Sequence, residues 1–261
     1  MLSSKKLVLV FLFLFFCSLP DILAENKDSI YQEAHDAIKD TVSQNPFPYL
    51  TLPVSLIIYG TIETICSDKL HLMNYTIEHA VANHINNKFT IDDILQFMPV
   101  AGMYTLDLTG IKAKNRLKDR IILSAIAGIF VGITVSTIKY TTRIERPDKS
   151  SRNSFPSGHT AIAFMGAEFL RQEYEDVSLW YGVMGYTTAI GTGLLRMYNK
   201  RHWWGDVVAG ASIGIISARL AYWIYPTIQQ NFSKNCTNKN RIVLLPYYNG
   251  QQVGCLLSTE F

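Results

Sequence analysis

Three short segments of this chain concentrate residue types that handle an anion: Lys139-Tyr-Thr-Thr-Arg-Ile-Glu-Arg146-Pro147, Phe155-Pro156-Ser157-Gly158-His159 and Arg196-Met-Tyr-Asn-Lys-Arg-His202-Trp-Trp-Gly-Asp206. Lys139, Arg146 and Arg196 are suited to surround a dianionic phosphate, arginine with a rigid fork of donors and lysine with a compact charge. Ser157, after Pro156, stands where an N-cap is expected. A helix starting at Gly158 then turns its free N–H groups and positive dipole end toward the anion. Gly158 allows close backbone approach, and His159 is a candidate to protonate a leaving oxygen. His202 and Asp206 are four apart and share a face if helical. An Asp206 carboxylate that accepts the Nδ1 proton of His202 fixes the tautomer and leaves Nε2 free to attack. The set reads as nucleophilic catalysis by histidine on phosphorus, with cations stabilising the transferring phosphoryl group.

Each segment alone has a plainer explanation. Lys139 and Arg146 suit snorkelling charges at the end of a membrane span. Glu145 beside Arg146 suits a surface ion pair, and Trp203 with Trp204 an interfacial aromatic belt. Together and in order, the chemical reading prevails.

These segments sit at the ends of apolar stretches near 51–66, 94–110, 121–138, 158–170, 179–195 and 206–225. The stretches lack strict alternation and most are too long for strands, so they are expected to be helices. Gly128 with Gly132, and Gly210 with Gly214, have the spacing that lets helix backbones approach closely. Residues 121–138 are uncharged and long enough to span a bilayer, whereas 51–66 is interrupted by Gly60 and Glu63. Lys112, Lys114, Arg116, Lys118 and Arg120 precede residue 121, and positive loops stay on the cytoplasmic side. Residues 139–159 and 196–206 then share the opposite side.

Residues 1–24 read as a signal peptide, with Lys5 and Lys6 before the apolar run Leu7–Leu19 and Ala24 at the cleavage position. Residues 25–49 form an exported polar segment, 50–228 the helical core and 229–261 a tail. With residue 25 outside and the basic loop inside, an odd number of crossings must separate them, so 51–66 is expected not to cross fully. In the tail, Asn249-Gly250 between apolar runs is a β-hairpin signal, with Pro246 restricting its strand to an edge.

Composition bounds the class. The chain has 261 residues, of which 48% are hydrophobic and 17% charged, and this excludes a disordered chain. A net charge of +3 is too small for a nucleic-acid-binding protein. Four Cys make no disulfide scaffold. Cys236 and Cys255 can pair only in an oxidising compartment, and the topology above puts them inside and reduced. His79 and His84 are five apart, the wrong spacing for two metal ligands on one helix face. Asn74-Tyr-Thr, Asn231-Phe-Ser and Asn235-Cys-Thr match glycosylation acceptors.

The three segments resemble the signature motifs of the type 2 phosphatidic acid phosphatase and vanadium haloperoxidase superfamily: Lys-x6-Arg-Pro, Pro-Ser-Gly-His and Ser-Arg-x5-His-x3-Asp. The resemblance covers about residues 90–225 and implies an all-α, membrane-embedded bundle and a phosphatase needing no metal or other cofactor. It implies that His202 becomes a phosphohistidine, Asp206 orients it and His159 is the general acid. Lys139, Arg146, Ser157, Gly158 and Arg196 would hold the phosphate. One position departs, since Leu195 stands where the pattern has Ser. More loosely, Ser150 to Tyr225 resembles exported lipid phosphatases of Bacteroidetes-type bacteria, some of which act on the lipid A 4′-phosphate. The expected partners are a lipid phosphate and the membrane, with the pocket on the periplasmic face of a bacterial inner membrane. Lipid A phosphate and undecaprenyl diphosphate rank first, phosphatidylglycerophosphate and phosphatidic acid next. A soluble exported acid phosphatase, a vanadium haloperoxidase and a non-catalytic lipid-binding protein are the alternatives.

Overall fold

The computed structural model describes residues 47–65, 73–74, 76–77, 90–236, 241–248 and 253–260, with side chains from residue 50 to residue 229 of these. The signal peptide, most of residues 25–49, His79 and His84 lie outside the described residues, as do the side chains of Cys236 and Cys255. The chain clusters into two compact units that divide between Ala221 and Tyr222.

Among the described residues, the regular elements of the first unit are all helices. Its elements are α1 (Phe47–Ile65), α2 (Asp92–Leu95), α3 (Met98–Leu108), α4 (Leu117–Thr142), α5 (Gly158–Tyr174), α6 (Leu179–Tyr198) and α7, which runs Trp204–Cys236 into the second unit. In the second unit, β1 (Arg241–Tyr248) and β2 (Val253–Glu260) pair antiparallel with Leu244 opposite Leu257. The Asn249-Gly250 turn lies outside the described residues.

Local chemistry sets the helix ends. α4 has 26 residues, about 39 Å at 1.5 Å per residue. It stops at Arg143, whose φ of 49° is left-handed and turns the chain into the Arg146 loop. The Ser157 and Ser178 hydroxyls accept N–H bonds from Thr160 and Trp180, each at 3.4 Å, and so cap α5 and α6. α5 is the central helix, with Ala161, Ala163, Ala167, Phe169, Leu170 and Tyr174 all buried. α7 packs on it almost backbone to backbone. A Cβ at Gly210 would land on the Ser157 carbonyl oxygen, and one at Gly214 on that of Ala161. Gly128 and Gly132 have the same spacing, but a Cβ at either meets nothing within 4 Å. The pattern therefore marks a close helix contact in one place and an open face in the other.

Three sequence expectations change. The 94–110 stretch is not one helix. It divides into α2 and α3, because Pro99 starts a new helix. Glu63 does not interrupt α1 as a free charge. It is buried and accepts the N–H groups of Met73 and Asn74 at 2.9 and 3.0 Å. Arg120 is not a loop cation. It is 1% exposed, ion-paired with Asp107 and bonded to the Met103 carbonyl at 2.8 Å. Among the described residues, Leu117–Thr142 and Trp204–Gln229 are long and apolar enough to cross a membrane.

Because α4 to α7 alternate in direction, the bundle has two polar ends. One gathers the end of α4, the start of α5, the end of α6 and the start of α7. The other gathers Arg120, Glu173 and Tyr174, where Glu173 accepts both the backbone and side-chain N–H groups of Asn115 at 2.8 Å. Toward that second end, buried Glu168 accepts bonds from Arg171, Gln172, Tyr186 and Arg219.

Candidate active site

The first end brings the three motif segments together. Lys139, at the end of α4, lies close enough to Arg146, Arg196 and Asp206 for their charges to act on it, and its Nζ donates to the Asn153 carbonyl at 2.6 Å. Arg146 feels Arg196, Arg201, Asp148 and Asp206. Burial first, then those neighbouring guanidiniums, pushes Arg146 below its usual value. The Nε atoms of Arg146 and Arg196 are buried and have no hydrogen-bond partner among the described residues. Unmade bonds of buried donors are costly, so these two N–H groups and the crowded positive charge suit an oxyanion between them.

Ser157 and Gly158 open α5 beside this cluster. The Ser157 N–H donates to the Asp206 carbonyl at 3.0 Å, and its hydroxyl lies 2.8 Å from that of Thr160. Thus the helix N-terminus offered to an anion is fixed to the segment carrying His202. His202 is 3% exposed, and its Nδ1 lies 3.4 Å from Asp206 Oδ2, a long hydrogen bond. The same oxygen accepts the Trp203 N–H at 2.9 Å and the Ser154 hydroxyl. Burial, outweighing the neighbouring carboxylate, pushes His202 down to about 4. The imidazole is therefore neutral near pH 7, the state a nitrogen nucleophile needs. A cleft beside it is lined by Pro147, Met197, Lys200 and Trp203.

Further bonds hold the motif segments to one another. Arg201 pairs with Asp148 at 3.3 Å, the Asp148 N–H donates to the Lys200 carbonyl at 3.1 Å, and Trp203 Nε1 donates to the Glu145 carbonyl at 2.8 Å. Among the described residues no ion pair joins Glu145 and Arg146. It is the Glu145 main chain that makes the contact. Trp204 Nε1 donates to the Tyr59 hydroxyl at 3.3 Å, so both tryptophans tie elements together.

Several residues here were not singled out from sequence. Asp92 is buried, holds Arg196 at 2.7 Å and accepts from Asn199 at 3.3 Å. Asp93 lies 2.9 Å from His159 Nε2. Ser154 is fully buried against Asp206. Arg196 is thus positioned by Asp92, while Leu195, half-buried, contributes its carbonyl to the Asn199 N–H at 2.9 Å. Asn74, in a glycosylation-like triplet, is buried and accepts the Gly205 N–H at 3.0 Å, which leaves its amide unavailable to a sugar. No group of three or more His, Cys, Asp or Glu among the described residues is placed to hold a metal ion.

The fold and the site define a helical protein that presents a cationic pocket to a histidine–aspartate pair. Residues 120–230 match the model of the PAP2 superfamily. It is 39% identical over 135 residues to a protein of Porphyromonas gingivalis named lipid A 1-phosphatase, an alignment covering 51% of this chain and 30% of the relative. It is 34% identical over 76 residues to the bacitracin transport permease protein BcrC of Bacillus licheniformis, covering 29% of this chain and 36% of that one. The chain therefore spans about a third of the length of these curated relatives. A transmembrane PAP2-type phosphatidylglycerolphosphate phosphatase from Bacillus subtilis, of solved structure, aligns with a TM-score of 0.49 and 20% identity, over 67% of this chain and 96% of that one.

Proposed function

We propose that this chain is a metal-independent phosphatase of a membrane lipid phosphate, acting through a phosphohistidine on His202. The observation that carries the reading is the buried neutral His202, backed by Asp206 and acted on by the charges of Lys139 and Arg196, in a cluster where the Nε atoms of Arg146 and Arg196 have no hydrogen-bond partner among the described residues. In the first step a His202 nitrogen forms a bond to phosphorus, the P–O bond to the lipid breaks, and His159 gives its proton to the departing oxygen. In the second, His159 takes a proton from water, the hydroxide attacks phosphorus and the P–N bond breaks. Inorganic phosphate leaves and the nitrogen recovers its electron pair. Lys139, Arg146, Arg196, the Ser157 hydroxyl and the Gly158 N–H supply charge and donors that metal ions supply in other phosphatases, the Ser157 N–H being already given to the Asp206 carbonyl.

Membrane location is supported by the two long apolar helices among the described residues and by the relative named a bacitracin transport permease. The basic loop 112–118 and the site occupy opposite ends of α4, which suits a periplasmic pocket. The signal over 1–24, the exported segment 25–49, the core 50–228 and the hairpin tail 229–261 complete the reading. The relative named lipid A 1-phosphatase favours a lipid A phosphate, at the 1 rather than the 4′ position, with undecaprenyl diphosphate next.

The test is phosphate release by detergent-purified protein in EDTA. The substrates are lipid A bearing only the 1- or only the 4′-phosphate, undecaprenyl diphosphate, phosphatidic acid and a soluble aryl phosphate, with His202→Ala as control. Release from one lipid, lost in the variant and inhibited by orthovanadate, is expected. Release from the soluble ester alone moves the reading to an exported acid phosphatase. Activity abolished by EDTA and restored by magnesium overturns the metal-independent mechanism.

A further inference from the structure

The site contains two histidine–carboxylate pairs, and the motif segments account for one. His159 Nε2 lies 2.9 Å from Asp93 Oδ1, contributed by α2 far back in the chain. Its Nδ1 has no hydrogen-bond partner among the described residues. Burial first, then Arg196 of α6, pushes His159 below its usual value, while Asp93 and Asp92 of α2 act the other way; Arg196 and Asp92 are themselves paired at 2.7 Å. Asp92 makes the closer contact to the Arg196 guanidinium, and Asp93, whose Oδ1 lies 3.6 Å from that guanidinium, is the carboxylate that bonds His159.

We infer that Asp93 is a positioning residue for the general acid: it holds one ring nitrogen of His159 and stabilises the imidazolium, so that the other nitrogen delivers its proton to the lipid oxygen. The inference rests on the proposed function. Its chemical logic concerns the leaving group alone. When the P–O bond to a sugar or glycerol oxygen breaks, an alkoxide departs with a proton from His159, and general acid catalysis contributes about 10²–10⁴-fold. A dinitrophenolate departs without that proton. A carboxylate that raises the proton affinity of His159 therefore matters for the first ester class and little for the second. Asp93 is 60% exposed, so its replacement removes little packing.

The experiment compares wild type, Asp93→Asn and Asp92→Asn on an alkyl lipid phosphate and on 2,4-dinitrophenyl phosphate, reading kcat/KM against pH. For Asp93→Asn the loss on the alkyl ester is expected to exceed that on the aryl ester by about tenfold or more. The alkaline limb of the alkyl profile should move to lower pH, because His159 loses its proton more readily without the carboxylate. Asp92→Asn, acting through Arg196, should lower both esters alike with the limb unmoved. Equal losses on the two esters for Asp93→Asn, or an unmoved alkaline limb, overturn the inference while leaving the phosphatase reading intact. Wild-type protein that releases phosphate from neither ester, or does so as well with His202→Ala, overturns the parent reading and this inference with it.

Discussion

Both ends of the helical bundle bury arginine, but they treat it differently. Toward one end, Glu168 is enclosed by Arg171, Arg219, Gln172 and Tyr186, and Arg120 is paired with Asp107. At the other, Lys139, Arg146 and Arg196 crowd together, and the Nε atoms of Arg146 and Arg196 lack partners among the described residues. The Nε of Arg120 is likewise without a hydrogen-bond partner among the described residues, so an orphaned Nε alone does not mark a site. What sets the other end apart is that its cations act on one another: burial first, then Arg196 and Arg201, pushes Arg146 below its usual value. Such mutual repulsion suits a ligand of the opposite sign.

The largest effect should come from His202→Ala, which removes the proposed nucleophile. Phosphate release is expected to fall by about 10⁴-fold or more, as when a nucleophile is deleted elsewhere, with the thermal unfolding midpoint in detergent little changed. A variant that keeps a tenth of wild-type turnover breaks the reading of this end as catalytic.

Next comes a reciprocal pair. Glu168→Ala leaves Arg171 and Arg219 facing each other without their shared carboxylate, and breaking such a buried pair costs about 3–5 kcal/mol. Arg146→Met removes a cation from a crowded cluster, so it should abolish most activity while leaving stability level or higher. Unfolding curves and phosphate release on both variants test this. If Arg146→Met destabilises as much as Glu168→Ala, the two ends are alike.

The site was far more legible in sequence than the bundle around it. Lys139, Arg146, Ser157, His159, Arg196, His202 and Asp206 advertise themselves because Pro, Gly and fixed local spacings flank them. Asp92, Asp93 and Ser154 do not. Each meets its partner only after a long stretch of chain, and nothing local marks an aspartate on a short helix as a counter-ion. Arg120 misled for the converse reason, since a run of basic residues does not reveal which one turns inward to Asp107. The two Gly-x3-Gly pairs are indistinguishable in sequence, and only the fold separates the packed pair from the open one.

That separation gives a smaller prediction. Gly210→Ala drives a methyl into the Ser157 carbonyl and should destabilise the fold and lower activity together, whereas Gly128→Ala meets open space. It should be neutral, or stabilising by up to about 1 kcal/mol through helix propensity. Equal effects in unfolding assays would dissolve the contrast between the two faces.

The smallest and most diagnostic effect is on pH. Because His202 is held near 4, below the ordinary 6.5, its neutral form, the one the proposed attack needs, persists as pH falls through that window and is lost only below it. The acid limb of kcat/KM should therefore lie well under 6.5. The unfolded chain takes up the proton first, so stability declines over the same window. An acid limb at 6.5 would place His202 in water rather than in a buried pocket.

One feature bears on inheritance. The loop around Arg146 is joined to the His202 segment through the main-chain atoms of Asp148, Lys200 and Glu145, and Ser157 is joined to Asp206 in the same way. Main-chain atoms are common to every amino acid. Side chains at positions such as Glu145 and Lys200 can therefore drift over generations without loosening the pocket, and descendants can trade surface chemistry around it while the distances among the reacting groups are passed on unchanged.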